Sequence, residues 1–313
     1  MNIGLIDLDT SHPESWIPIL REMGHAIAGV WDAGAIHPPG YAQTFAKKLN
    51  IPRVFDSLEE AADQVDLAII HSCDWDTHVQ KSRPFFEAGK AVLVDKPVAG
   101  CERDLQWFEQ WAQKGARVTG GSGLRFCAEV MQLREKWTQE QATPHTVFAG
   151  CGVDLFNYGI HAYALLAAIL GSDAKEVQFL SEHDQRRLRL VWSQGCEGVL
   201  VIGAARKWQP FHASIVTDLG VDQFIADPSR LYRTFLQAVL PFLAGQTEKP
   251  PCPVESWLMP ERWALAALAS EQAGGTIIPV TGSAAEAVQY DGRKFAGQYR
   301  QLRYPEPSPI STS

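Results

Sequence analysis

Apolar and polar positions follow one rhythm up to about residue 120 and another after it. In the first part, short runs that are apolar throughout alternate with stretches of helical spacing, a pattern that suits strands buried on both faces of a parallel sheet. Strands are predicted at Asn2–Leu8, His25–Trp31, Arg53–Phe55, Leu67–Ile70, Ala91–Val94 and Arg117–Thr119. Helices are predicted between them at Ser15–Met23, Tyr41–Leu49, Ser57–Gln64, Val79–Gly89 and Glu102–Lys114. Ser11 with Glu14, and Ser57 with Glu60, have capping-box spacing, and Pro13 suits a first helical turn. Strand, helix, strand at these lengths makes parallel units with right-handed crossovers.

After Gly120-Gly121-Ser122-Gly123 and a helix ending at Trp137, the rhythm turns to strands in succession. Thr146–Val153, Val177–Glu182, Leu188–Trp192, Val199–Ala205 and His212–Thr217 read as strands, with Thr276–Val280 as a final edge. Short turns between several of them imply a largely antiparallel sheet. Helices fall at Tyr158–Leu170, at Leu231–Leu243, and at Glu255–Gly274 with a break at Pro260. The fold class is therefore α/β: a Rossmann-type, doubly wound parallel sheet, then an α/β domain with a large, mostly antiparallel open sheet. Domains are expected at residues 1–120 and 121–313, with the last helices packing back on the first and a flexible tail from about 305.

Composition narrows the class. At 313 residues, two cores of ordinary size are the natural expectation. A net charge of −8 provides no broad basic field for nucleic acid or an anionic membrane. No apolar run approaches the length of a membrane span, and the chain enters its first strand with no basic leader, so a cytoplasmic protein is expected. The six cysteines are scattered singly, as buried reduced thiols are.

Candidate chemistry gathers at strand ends, where open parallel sheets bind ligands. A dinucleotide fingerprint G-x-G-x-x-G should follow the first strand, yet its three glycine places hold Asp7, Asp9 and His12. Two carboxylates near a pyrophosphate are an objection, since unit like charges at about 4 Å repel by roughly 1 kcal/mol in water and several times that at a protein surface. Helix-start amides, the hydroxyls of Thr10 and Ser11, or a protonated His12 would have to offset it. Alternatively, Asp7 and Asp9 cap the turn and point away from any ligand. Asp32 ends the second strand at the spacing of a ribose-binding acid, which favours NAD over NADP. A metal site from Asp7 and Asp9 with His12, His71 or His78 is a weaker alternative, because no spacing matches a metal signature.

Ala88-Gly89-Lys90 followed by Asp95-Lys96-Pro97 resembles the glucose-fructose oxidoreductase, inositol dehydrogenase and MocA (Gfo/Idh/MocA) family, whose strand ends in Glu-Lys-Pro after a helix ending Ala-Gly-Lys. His78 matches a histidine opening the intervening helix, and Leu124-Arg125-Phe126 matches the Arg-Phe that opens the family's second domain. The family's Asp-x-Gly-x-His is met by Asn157-Tyr158-Gly159-Ile160-His161, with Asn157 in place of the aspartate. The resemblance implies NAD-dependent hydride transfer with a sugar, cyclitol or related polyol in a cleft between domains, Lys96 and His161 being catalytic. It implies substrate contacts at Arg125, Asn157 and Tyr158, and cofactor contacts at Asp9, Thr10, Ser11, His12, Asp32, His71, Ser72, His78 and Pro97. A neutral Asn157 orients a hydroxyl but relays no proton, which leaves acid–base work to His161. Bland readings stand beside these: Lys96 as a solvated lysine, Arg125 as a surface ion pair, His161 as a packed core histidine. The family also implies a homodimer or homotetramer. The rival is a non-catalytic binding or regulatory protein that kept the fold and lost the chemistry.

Overall fold

The computed structural model describes residues 1–204 and 207–305. The chain divides into two compact units, Met1–Lys90 with Asp291–Ser313, and Ala91–Tyr290.

The first unit runs β1 (Asn2–Ile6), α1 (His12–Glu22), β2 (Ala26–Trp31), α2 (Tyr41–Lys48), α3 (Leu58–Gln64), β3 (Leu67–Ile70) and α4 (His78–Glu87), and closes with a C-terminal helix, Gly292–Arg303. β1 pairs in parallel with β2 and with β3, and every residue of β3 is buried. That burial is why the strand reads as an unbroken apolar run. β4 (Ala91–Val94) and β5 (Val118–Gly120) complete a five-stranded sheet of order β2-β1-β3-β4-β5.

Three local expectations need correction here. Arg53–Phe55 makes a single bridge, Val54 to Val30, rather than a strand. Ser57 caps α3 by accepting from the Glu60 amide at 3.0 Å, whereas Ser11 makes no side-chain cap. Ser11 is itself helical in backbone (φ −79°, ψ −9°), so its hydroxyl is not swung toward the third amide as an extended cap residue's would be. The helix begins at His12, whose amide donates to Thr10 Oγ1 at 3.2 Å, and Glu14 pairs instead with Lys48 at 2.6 Å. The C-terminal helix lies beyond the last predicted elements, the helix Glu255–Gly274 and the edge strand Thr276–Val280.

In the second unit, α5 (Glu102–Gln113) precedes β5, and α6 (Ala128–Glu140) follows a short 3-10 turn at Gly123–Phe126. Strands β6 (Pro144–Gly152), β7 (Ala174–His183), β8 (Gln185–Trp192), β9 (Glu197–Gly203), β10 (His212–Thr217), β11 (Val221–Ile225) and β12 (Ile278–Pro279) form one sheet. Its order is β11-β10-β6-β9-β8-β7-β12, with β6 and β9 parallel and the other described pairs antiparallel. The end of the expected strand Val199–Ala205, and the expected flexible tail after residue 305, lie outside the described residues. β11 escapes sequence reading because its burial alternates with exposed Val221 and Ile225, an edge strand whose pattern is inverted.

Helix α7 (Gly159–Leu170) is buried almost all round, as its Ala/Leu content requires. After α8 (Pro228–Leu243) come α9 (Val254–Trp257) and α10 (Met259–Gln272), which meet at Leu258, so Pro260 sits in the first turn of a new helix instead of interrupting an old one. A one-turn helix, α11 (Ser283–Glu286), precedes the end of the unit.

Candidate functional site

In the first unit the glycine-free turn is solved by burial. Asp7 follows β1 with φ of +62°, the left-handed conformation that a fingerprint glycine would take and that Asp tolerates better than most residues. Its amide donates to the Trp31 carbonyl at 2.7 Å, and its carboxylate turns inward. Oδ1 accepts from the Ala33 amide at 2.9 Å, while Oδ2 takes both the Ser72 hydroxyl and the Lys81 ammonium. Asp7 is fully buried and the Lys81 side chain is 9 % exposed, so this is an interior ion pair. Lys81 also donates to Ser72 Oγ at 3.1 Å and lies over the Trp31 ring.

Asp9 is equally buried. Its Oδ2 accepts from the Cys73 amide at 2.8 Å, and its Oδ1 has no hydrogen-bond partner among the described residues. Burial first, and the Asp7 charge second, push its carboxyl up to about 7. The Asp32 carboxyl is raised too, by burial and then by Asp7, although the Gly34 amide at 3.1 Å works against the shift. Asp7, Asp9 and Asp32 each bring one carboxylate oxygen within 4.8 Å of the others. Both oxygens of Asp7 are already committed to protein donors, which speaks against the metal alternative.

Beside Asp32 opens a pocket of about 490 Å³, walled by Trp31, Gly34, His37, Tyr41, Phe55 and Arg300. Its size suits a nucleoside, and its mix of aromatic, backbone and charged groups suits a base with a ribose. The residues at this end fit a dinucleotide on that ground: Asp32 at the strand end for ribose hydroxyls, and a turn whose carboxylates face inward.

In the second unit, Lys96 and Pro97 follow β4 through a cis peptide bond. The Lys96 ammonium donates to Asn157 Oδ1 at 2.8 Å and to the Asn157 carbonyl at 3.2 Å, and it lies 5.3 Å from the Tyr158 ring centre. Asn157 is set by the Asp154 carboxylate, which also accepts from the Phe156 and Tyr158 amides just before α7. His161, in the first turn of α7, has Nδ1 2.7 Å from Ser122 Oγ. Ser122 Oγ also accepts the Leu124 amide at 3.2 Å, so one hydroxyl ties His161 to the start of the 3-10 turn.

Comparison with known proteins now bears on both units. Residues 4–119 match the GFO_IDH_MocA family model, described as an oxidoreductase family with an NAD-binding Rossmann fold. Over those residues the chain is similar to the Gfo/Idh/MocA oxidoreductases. Solved structures extend the likeness of fold to 90 % of the chain. They include scyllo-inositol dehydrogenase from Lactobacillus casei (TM-score 0.75, 14 % identity, 98 % of that chain) and an NAD-binding oxidoreductase from Klebsiella pneumoniae (0.74, 16 %, 99 %). Myo-inositol dehydrogenase from Lactobacillus casei, solved with NAD(H) and myo-inositol, matches at TM-score 0.73 and 14 % identity, over 90 % of this chain and 97 % of that one. No curated protein matches the chain significantly.

Within the Gfo/Idh/MocA pattern the sequence-derived residues separate by burial. Asp32, Thr10, Ser11 and His12 lie at least partly open, with His12 stacked on Trp16. Asp9, His71, Ser72 and His78 are buried, and the His78 Nε2–H donates to the Ser72 carbonyl at 2.8 Å, bracing the segment after β3 from beneath. Arg125 is buried with its guanidinium on the Ser256 carbonyl at 2.7 Å, so it is no surface ion pair. Lys96, Asn157, Tyr158 and His161 gather in one place.

Sequence reading missed Lys81, Ser122 and the C-terminal residues Arg300 and Tyr304. Lys81 had a signal: His78, Lys81, Ser82 and Phe85 form the buried stripe of α4, and a lysine at helical spacing among buried positions needs an anion.

Proposed function

We propose that this protein is an NAD-dependent dehydrogenase that oxidises or reduces a secondary hydroxyl carbon of a sugar, cyclitol or related polyol. The observation that carries this reading is the nucleoside-sized pocket at Asp32, beside a turn whose two aspartates are turned inward, one of them onto Lys81. The carboxylates that argue against a dinucleotide in the sequence therefore offer little charge to a pyrophosphate. Asp32 Oδ2 accepts from none of the described residues, which suits it to ribose hydroxyls and sets it against a 2′-phosphate; NAD over NADP follows.

A bound nicotinamide supplies the hydride donor or acceptor. The protein's share is the proton. Lys96, held by Asn157, is the group for the reacting hydroxyl oxygen, and His161, held by Ser122, is the acid–base partner. Asn157 and Tyr158 flank them as substrate contacts. We assign nucleotide binding to residues 1–120 together with the C-terminal helix that packs back on them, and substrate binding to the rest of residues 121–313. A homodimer or homotetramer in the cytoplasm fits this reading. Exposed Phe148, Val221 and Ile225 share one face of the second sheet, as their register through Ser214 and Gln223 requires, and support self-association.

The test is calorimetric titration of folded, nucleotide-free protein with NADH and with NADPH, for the wild type and Asp32→Ala. NADH binding that weakens in the variant supports the site, and absence of binding by either nucleotide overturns it. With binding established, Lys96→Met and His161→Ala should each lower turnover of an active polyol about 10²-fold or more while NADH affinity stays. The neutral Asn157 favours one second reading, a binding protein without turnover, which would show NADH affinity and no oxidation across a polyol panel.

A further inference from the structure

The C-terminal helix is built into the wall of the nucleotide pocket, and nothing in the nucleotide motif requires that. Asp291 caps it by accepting the Lys294 amide at 2.7 Å, and Asp76 Oδ2 accepts the Gly292 amide at 2.9 Å. Phe295 and Tyr299 pack on a small core of Ile36, Cys73 and Ala296. One turn further on, Arg300 lines the pocket that contains Asp32, and its Nη1 donates to the Ala35 carbonyl at 2.9 Å and the Gly34 carbonyl at 3.3 Å. These are the carbonyls of the loop leaving Asp32. No other nitrogen of that guanidinium has a partner among the described residues.

Tyr304, just beyond the helix, reaches the same region by a relay. Its hydroxyl lies 2.8 Å from His37 Nδ1, and His37 Nε2 lies 2.9 Å from the carbonyl of Leu8, inside the nucleotide turn. A carbonyl only accepts, so Nε2 carries the proton and Nδ1 accepts from Tyr304. Burial, with the nearby Arg303 charge, lowers the His37 pKa and keeps the ring neutral, as this relay needs. His37 is itself buried and stacked on Tyr41, ring centres 3.6 Å apart, so its position is fixed.

We propose that the C-terminal helix is a working part of the nucleotide site, with Arg300 binding the adenosine end of the dinucleotide and Tyr304 positioning the nucleotide turn through His37. This rests on the nucleotide reading above. An arginine is suited to the first role, because a planar guanidinium stacks on a base face while its edge still holds carbonyls. Tyr304 touches no ligand; it acts on Leu8 through the imidazole.

The experiment is NADH titration, with AMP as a competitor, on the full chain and on Arg300→Ala, Tyr304→Phe and, as a same-helix control, Lys294→Ala at an exposed position. Each variant's melting curve and the rate of proteolysis of its C-terminal helix are measured alongside. Arg300→Ala should weaken NADH and AMP about tenfold, and Tyr304→Phe should weaken NADH severalfold, while Lys294→Ala binds as the wild type. Unchanged NADH affinity in folded Arg300→Ala overturns the assignment of Arg300. So does weakened NADH with AMP competition untouched, or weakening matched by faster loss of the helix to protease. Unchanged affinity in Tyr304→Phe overturns the relay. A wild type that binds no NADH sinks the nucleotide reading itself.

Discussion

At the scale of single residues, Asp7 and Lys81 stand or fall together. Removing the ammonium leaves a fully buried carboxylate with Ser72 and an amide as its remaining partners. Lys81→Met should therefore cost about 3–5 kcal/mol in denaturant unfolding, and Asp7→Asn in the same chain should restore much of it. Asp9 yields a pH dependence whose sign is set by the direction of its shift. Its carboxyl rises from 3.8 to about 7 in the folded protein, so the folded state holds a proton that the unfolded chain has lost between those values. Stability contributed by Asp9 is present at low pH and is lost as pH climbs through that window. Glu261, fully buried and pushed up to about 7, adds to the same slope. Asp9→Asn should flatten the decline from pH 5 to pH 8 without abolishing it, and equal slopes for the two proteins would refute the account. Of these residues, the positions of Asp7 and Asp9 were legible from the fingerprint spacing. Their direction was not, because a turn residue's side chain points wherever a distant partner draws it, and that partner is 74 positions away.

At the scale of elements, two glycines show where backbone packs on backbone. A Cβ at Gly120, whose φ is +156°, would lie 1.9 Å from the Val94 carbonyl oxygen on the neighbouring strand. Gly120→Ala should lose about 3 kcal/mol or more and show chiefly as poor soluble yield. At Gly292 a Cβ would come within 2.7 Å of Asp74 Oδ1 and 2.9 Å of the Asp76 amide. Gly292→Ala should push the C-terminal helix off its seat, measurable as faster proteolysis of residues 292–303, at a cost of about 1–3 kcal/mol. The helix has an amphipathic face, yet its apolar members, Phe295, Ala296 and Tyr299, are few and lie among charged residues. So short a stripe looks like a polar tail until the small core that receives it is in place.

At the scale of the whole molecule, ligand binding and stability are linked. NADH at 100 times its dissociation constant should stabilise the folded protein by about 2.7 kcal/mol, raising the melting temperature by several degrees, with a smaller rise for Asp32→Ala. The sequence by itself determined the fold class, because strand and helix rhythms and buried apolar runs are local properties that survive without knowledge of partners. It also singled out Asp32, Lys96 and His161 as candidates for chemistry, since strand-end spacing and short motifs are local as well. Only the tertiary structure decided what surrounds them: that Lys81 neutralises Asp7, that Ser122 meets His161, that Arg300 lines the pocket at Asp32, and that Tyr304 meets His37. Each of those is a meeting of side chains 39 to 267 positions apart. Burial and direction are set by such meetings, and no local pattern carries them.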